Sequence, residues 1–159
     1  MFATFISYGL LLALAIALVF AAATDLKRRQ IYNWLNAAIA IGAPAFWWAS
    51  GLALWPDIAL QLGIAVATFA VTAGLFALRM IGGGDVKLLT ALALWIEPGA
   101  FLQVIVIMAV AGGAVSAILA GWHLYKRDKK RLAVPYGVAI AIGGLWVIAP
   151  KLANVPVLA

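Results

Sequence analysis

The segment from Phe2 to Ala23 runs for 22 residues without a charged side chain. A helix needs about 20 mostly apolar residues to cross the roughly 30 Å hydrocarbon core of a bilayer. Similar runs recur along the chain, broken by charges, Pro and Gly: Trp34 to Ala49, Ile58 to Leu78, Gly99 to Trp122 and Ala133 to Pro150, with a shorter piece from Val86 to Ile96. The runs are continuous rather than alternating, which points to helices and not to a membrane barrel. Across 159 residues, 67% are hydrophobic and 10% charged. A small soluble fold exposes too much of its surface to hide that apolar content. A soluble globular enzyme, a disordered tail and a nucleic-acid module are thereby excluded. The expected fold class is all-α: a polytopic membrane protein with six transmembrane helices, in which residues 1–159 form a single integral-membrane domain and leave no room for a soluble one. No Lys or Arg precedes the first run and it is too long for a signal h-region, so it reads as a retained span.

The formal charge of +6 is explained by topology before any acidic partner is invoked. The loops after spans 1, 3 and 5 carry Lys27, Arg28, Arg29, Arg79, Lys87, Lys126, Arg127, Lys129, Lys130 and Arg131, and the opposite side carries only Lys151. The positive-inside rule then puts those loops in the cytoplasm and both termini outside. Trp47, Trp48, Trp55 and Trp95 are expected near the outer interface, and Trp34 and Trp122 near the inner one, where indole rings prefer to sit. Pro44 is expected to kink span 2. With no cysteine and one histidine, His123, that lacks companions, no zinc or other metal site is expected.

Five acidic residues exist. Asp57 and Glu97 lie at outer turns and read as interfacial charge. Asp128 lies inside a basic run and reads as local pairing. Asp25 and Asp85 differ, because each sits where an apolar span meets a cytoplasmic loop. The piece Val86–Ile96 covers only about 16 Å as a helix. With Glu97 at the outer interface, Asp85 should lie inside the slab, unless the bilayer thins or the helix begins before Asp85. Gly82-Gly83-Gly84 suits non-helical backbone at that depth, since glycine permits φ > 0 and close approach. Two carboxyls in a partly dry site share ionisation, one protonated and one not. They then form a general acid and base able to activate water on a peptide carbonyl. Alternatively each Asp is an interfacial cap or salt-bridge partner of Lys27, Arg28 or Lys87. Charge placement leaves both readings open.

Gly82-x-Gly84-Asp85-Val86-Lys87-Leu88 resembles the GxGD motif of the bacterial type IV prepilin peptidases. Asp25 followed by Arg29, Ile31 and Asn33 resembles their first motif, and Val134-Pro135-Tyr136-Gly137 their later hydrophobic-Pro-aromatic-Gly element. The three occur in the family's order on a six-span frame. The resemblance implies a GxGD aspartic protease-like bundle with Asp25 and Asp85 as the catalytic pair and no metal or organic cofactor. It implies cleavage of the basic leader from pilin-like precursors, after a glycine, at the cytoplasmic face of the bacterial inner membrane. The partners implied are a prepilin substrate and the lipid bilayer, with no nucleic acid. Tyr32 stands where the family usually has Pro, which leaves the turn after Asp25 open to a different build. Longer members carry a four-cysteine zinc segment and methylate the new N-terminus. This chain is similar to the short, peptidase-only branch of tight-adherence (Flp-type) systems, so methylation is not expected of it.

Other residues carry two readings each. Lys87 acts on the carboxylate pair or snorkels to phosphate. Gly82 and Gly84 shape the Asp85 loop. Arg29, Ile31 and Asn33 order the Asp25 loop or serve topology and capping. Pro135-Tyr136-Gly137 covers the site or starts a helix. Gly112-Gly113, Gly121 and Gly143-Gly144 read as helix-packing surfaces. The rival functions are a small proton-coupled transporter or channel, against which no inverted repeat is found, and a non-catalytic assembly subunit.

Overall fold

A computed structural model describes residues 2–126 and 136–154, with backbone only at 119, 120 and 122–126. The described residues form six α-helices and no strand: α1 (Phe2–Arg28), α2 (Asn33–Ala49), α3 (Ala59–Ala77), α4 (Gly83–Ala93), α5 (Pro98–Lys126) and α6 (Tyr136–Ala153). Four segments are long and apolar enough to cross a membrane: Phe2–Arg28, Leu54–Ala77, Pro98–Ile118 and Tyr136–Ala153. The chain is an integral membrane protein. The 17 residues of α2 extend about 25 Å, and the 11 of α4 about 16 Å. Helix α2 continues through Pro44.

Helix α4 is the hub. It packs against α2, α3 and α6, while α6 also packs on α1 and α5. Leu88 and Leu92 are fully buried, whereas Ile16, Val66, Val110 and Trp146 face outward, as lipid-facing side chains do. Lipid tails are as apolar as the core, so close packing and interhelical hydrogen bonds must hold such a bundle. Both are present. Trp95 Nε1 donates to the Ile39 carbonyl at 2.8 Å, and Trp47 Nε1 to the Leu94 carbonyl at 2.7 Å. These bonds tie the end of α4 to α2. Trp95 is therefore no interfacial anchor: it is 4% exposed, and its ring stacks on Phe46 with centroids 5.1 Å apart. Trp34, Trp48 and Trp55 are exposed as expected.

Small residues permit the closest approaches. A Cβ on Gly143 would lie 2.8 Å from the Val104 carbonyl oxygen, and one on Gly144 2.8 Å from Leu18 Cδ1. Gly112 gives Tyr136 its place, with ring carbon Cε1 3.5 Å from a Cβ there. Gly113 and Gly121 have open space instead among the described residues.

Helix ends at the aspartate side use cations in an unusual conformation. Arg29 has φ 53° and Arg79 φ 60°, the left-handed region usually left to glycine at a helix C-terminus. After α3, Arg79 N–H bonds the Phe76 carbonyl at 2.9 Å and Met80 N–H the Leu75 carbonyl at 2.9 Å, which is the Schellman arrangement. After α1, Arg29 N–H bonds the Asp25 carbonyl at 2.9 Å. A left-handed non-glycine residue costs about 1–2 kcal/mol, offset here by a cation at the negative end of the helix dipole.

Replacing Gly143 by Ala should lower stability by about 1–3 kcal/mol, because the Val104 carbonyl belongs to helix backbone and cannot step aside. Gly113→Ala should be neutral or slightly stabilising. Denaturant unfolding in detergent checks both, and equal effects would contradict the α5–α6 contact.

Candidate active site

Asp25 lies in the last turns of α1, inside the helix rather than in a loop beyond it. It is 6% exposed. Its Oδ2 accepts the Gly137 N–H from the start of α6 at 2.8 Å. A helix N-terminus presents unpaired N–H groups, so it is a natural seat for a carboxylate.

Asp85 is the third residue of α4, half-buried. Its Oδ2 reaches back to accept the Gly82 N–H at 3.1 Å, one arm of a capping box. The glycine loop expected before Asp85 is not a left-handed turn. Gly82 is extended at φ −80°, ψ 149°, and Gly83 and Gly84 already belong to α4. The helix thus begins before Asp85. What glycine supplies is the missing Cβ: one on Gly84 would lie 3.1 Å from Ile31 Cβ and 3.5 Å from the Ile31 carbonyl oxygen.

Ile31, 6% exposed, joins the two halves. Its Cβ abuts Gly84, and its Cδ1 lies 2.8 Å from where a Gly137 Cβ would sit, the same distance as Asp25 Oδ2. One side chain therefore fills the space bounded by the segment after α1, the start of α4 and the start of α6. The two aspartates share this end of the bundle, with Ile31 against both the Gly84 that precedes Asp85 and the Gly137 that holds Asp25.

The remaining expected residues divide. Asn33 opens α2, and its Oδ1 accepts from Lys87 Nζ at 2.8 Å, so Lys87 ties α4 to α2 beside the pair. Tyr136 is half-buried and lies against Gly112 of α5; its contact is with the helix next door. Pro135 lies outside the described residues. Tyr32 has φ −69° and ψ 138°, the backbone a proline would impose, so the substitution leaves the turn's dihedrals intact. Its hydroxyl accepts from Arg28 Nη1 at 2.8 Å, and its ring completes a triangle with Phe20 and Trp34, 6.4 Å from each centroid while those two are 5.8 Å apart.

Asn36 is the residue that reading the sequence missed. It is buried, its Nδ2 donates to the Gly84 carbonyl at 3.3 Å, and its Oδ1 has no partner among the described residues. The available signal was an Asn one turn beyond Asn33 within an apolar span. Asn36 also borders a cavity of about 350 Å³ that runs from Asn33 and Lys87 past Ala40 and Phe69 to Leu94. Helices α2 and α3 flank it and α4 forms its floor. No cluster of three or more His, Cys, Asp or Glu able to hold a metal occurs among the described residues.

Asp25 and Asp85 thus lie at one end of an apolar bundle, each carboxyl accepting a main-chain N–H. Residues 12–117, which include both aspartates, match the type IV leader peptidase family, and the chain belongs to that family. A stretch of 64 residues is 45% identical to the prepilin leader peptidase/N-methyltransferase of Burkholderia pseudomallei strain 1026b, and equally to that of strain K96243. The stretch is 40% of this chain and 20% of each relative, so the matched region spans about a fifth of the relatives' length. No solved structure matches the chain.

Adding a methyl at Gly137 should cost about 1–3 kcal/mol by overpacking, since Asp25 and Ile31 both occupy that space. Ile31→Val, which removes Cδ1, should recover part of the loss in the double variant. Unfolding measurements on the four proteins of that cycle check the shared space, and strictly additive effects would refute it.

Proposed function

We propose that this protein is an intramembrane aspartic endopeptidase that removes the basic leader from type IV prepilins of the Flp-like kind. What supports the reading is that Asp25 and Asp85 lie at one end of the bundle, around Ile31 and within the residues that match the leader peptidase family. In this mechanism one aspartate, as carboxylate, takes a proton from a water molecule. The water oxygen adds to the carbonyl carbon of the scissile bond, while the other aspartate, protonated, donates to the carbonyl oxygen. The tetrahedral adduct collapses by breaking the C–N bond, and the amine leaves with a returned proton. The pair titrates as a unit, so neither role is assigned to one residue. Gly137 N–H and Gly82 N–H hold one oxygen of each carboxyl, which leaves the other for the water.

The same reading takes the bundle as six crossings in the cytoplasmic membrane, with α2 and the short α4 as the second and fourth. Both termini are outside and the aspartates face the cytoplasm. The ten-to-one distribution of Lys and Arg supports that orientation, as do Arg29 and Arg79 at the aspartate end. The cut after a glycine follows the resemblance. The groove between α2 and α3 suits the apolar helix of the precursor, with the scissile segment unwound beside Asn33 and Lys87.

Co-expression with a Flp-type prepilin in membranes tests this. Wild type should convert the precursor to the shorter band on a gel. Asp25→Asn and Asp85→Asn, at matched expression, should each reduce conversion by about 10²–10⁴-fold, the scale of general acid–base catalysis. Conversion persisting in both variants would remove the pair from the chemistry. The mass of the product's N-terminus reports on methylation in the same experiment.

A further inference from the structure

The end of the bundle remote from the aspartates holds a second cavity, of about 390 Å³, within the size range of ligand sites. Its floor is apolar, formed by Leu11, Phe46 and Trp95, and its mouth carries Glu97 and Lys151. Gln61 also lines it. That side chain is 5% exposed, and its Oε1 has no hydrogen-bond partner among the described residues. A buried acceptor left without a donor is costly, so it points to an occupant that brings one.

Below it, an apolar groove of about 170 Å³ runs between α1 and α2 along Leu10, Leu14 and Ala17 on one side and Ala38 and Gly42 on the other. Trp95 borders both cavities. From Leu10 to Ala17 the groove descends about 10 Å along the helix. A chamber with charges of both signs at its mouth and a narrow apolar groove below it thus share the Trp95 ring as a common wall.

We propose that this composite cavity is a binding site for a zwitterionic, primary-amine phospholipid, a phosphatidylethanolamine, from the leaflet at that end. Lys151 pairs with the phosphate. The ammonium donates to the Glu97 carboxylate and to Gln61 Oε1, supplying the missing hydrogen bond. One acyl chain enters the channel between α1 and α2. The choice of headgroup follows from the donors required. Phosphatidylcholine carries the same charges but no N–H for Gln61, and phosphatidylglycerol has no cation for Glu97. The site is independent of the aspartate chemistry, about 25 Å away along α1 from Tyr8 to Asp25.

Native mass spectrometry of the full chain in detergent, with the three lipids bearing identical acyl chains, tests the proposal. One phosphatidylethanolamine should be retained at least tenfold more tightly than phosphatidylcholine or phosphatidylglycerol, the scale of a charge-assisted hydrogen bond. Gln61→Leu and Glu97→Gln should each bring phosphatidylethanolamine close to the level of phosphatidylcholine. Lys151→Ala should weaken both of those lipids. Ala13→Phe, at an exposed position lining the channel, should weaken all three. Equal retention of the three lipids by wild type overturns the proposal and makes Glu97 and Lys151 ordinary interfacial charges. So does a headgroup preference that survives both Gln61→Leu and Glu97→Gln. Retention unchanged in Ala13→Phe overturns the channel as the seat of the acyl chain.

Discussion

The structure depends on where an 11-residue helix can be put. Helix α4 reaches about half the thickness of the hydrocarbon core, and its first turn carries a carboxylate and a run of glycines. Neither end can be left in lipid, where an unpaired N–H or a bare charge costs several kcal/mol. The answer is enclosure. Helices α2, α3 and α6 surround α4, Asn36 takes up the Gly84 carbonyl, and Asp85 takes up the Gly82 N–H. At the other end, Trp47 and Trp95 cross-link the last turn of α4 to α2. The same enclosure that makes a short helix tolerable draws a second carboxylate, Asp25, to its polar end.

Charge placement and chain termination act together at that end. Arg29 and Arg79 are cations at the aspartate end, and both take the left-handed conformation that closes the preceding helix. Glycine would adopt that conformation with less strain, but would remove a cation from the negative end of each helix dipole. Arg29 in addition bonds the Asp25 carbonyl through its own N–H. Charge and capping thus converge on one residue, which offsets its poor intrinsic preference for that backbone.

Most of the architecture was legible because lipid imposes it. Long charge-free runs can only be helices at depth, and the helices found at Phe2–Arg28, Asn33–Ala49 and Ala59–Ala77 differ from the apolar runs by a few residues at their ends. The ends were less legible, because polarity was taken to mean loop. Asp25 and Asp85 are polar yet helical, since α1 continues through Lys27 and Arg28, and since a carboxylate at the third position of α4 caps the helix it begins. The GxG pattern offers both backbone freedom and close approach, and at Gly84 it is the second that the structure uses, as space for Ile31. Trp95 was misplaced because an indole near an outer turn has two homes, the interface or a buried carbonyl, and only the tertiary position of Ile39 decides. Gln61 could not be singled out at all, and Asn36 only as an Asn one turn beyond Asn33 in an apolar span. A buried amide reveals its importance through what it bonds, or fails to bond, across the bundle.

The two ends of the molecule present opposite solutions to buried polarity. At the aspartate end the main chain satisfies one oxygen of each carboxyl, and a single branched side chain, Ile31, spaces the segments that carry them. Its Cβ is set by Gly84 and its Cδ1 by Gly137. A relative movement of α4 and α6 must therefore pass through Ile31 and alter the surroundings of Asp25. At the far end, Gln61 is left with an unmet acceptor in a chamber with charges at its mouth. A bundle held by packing rather than by the hydrophobic effect gains little from filling such a chamber with its own apolar atoms, since lipid can fill it as well. The surrounding solvent of a membrane protein is itself amphipathic, and a cavity with a polar mouth and an apolar channel is shaped to use both parts of it.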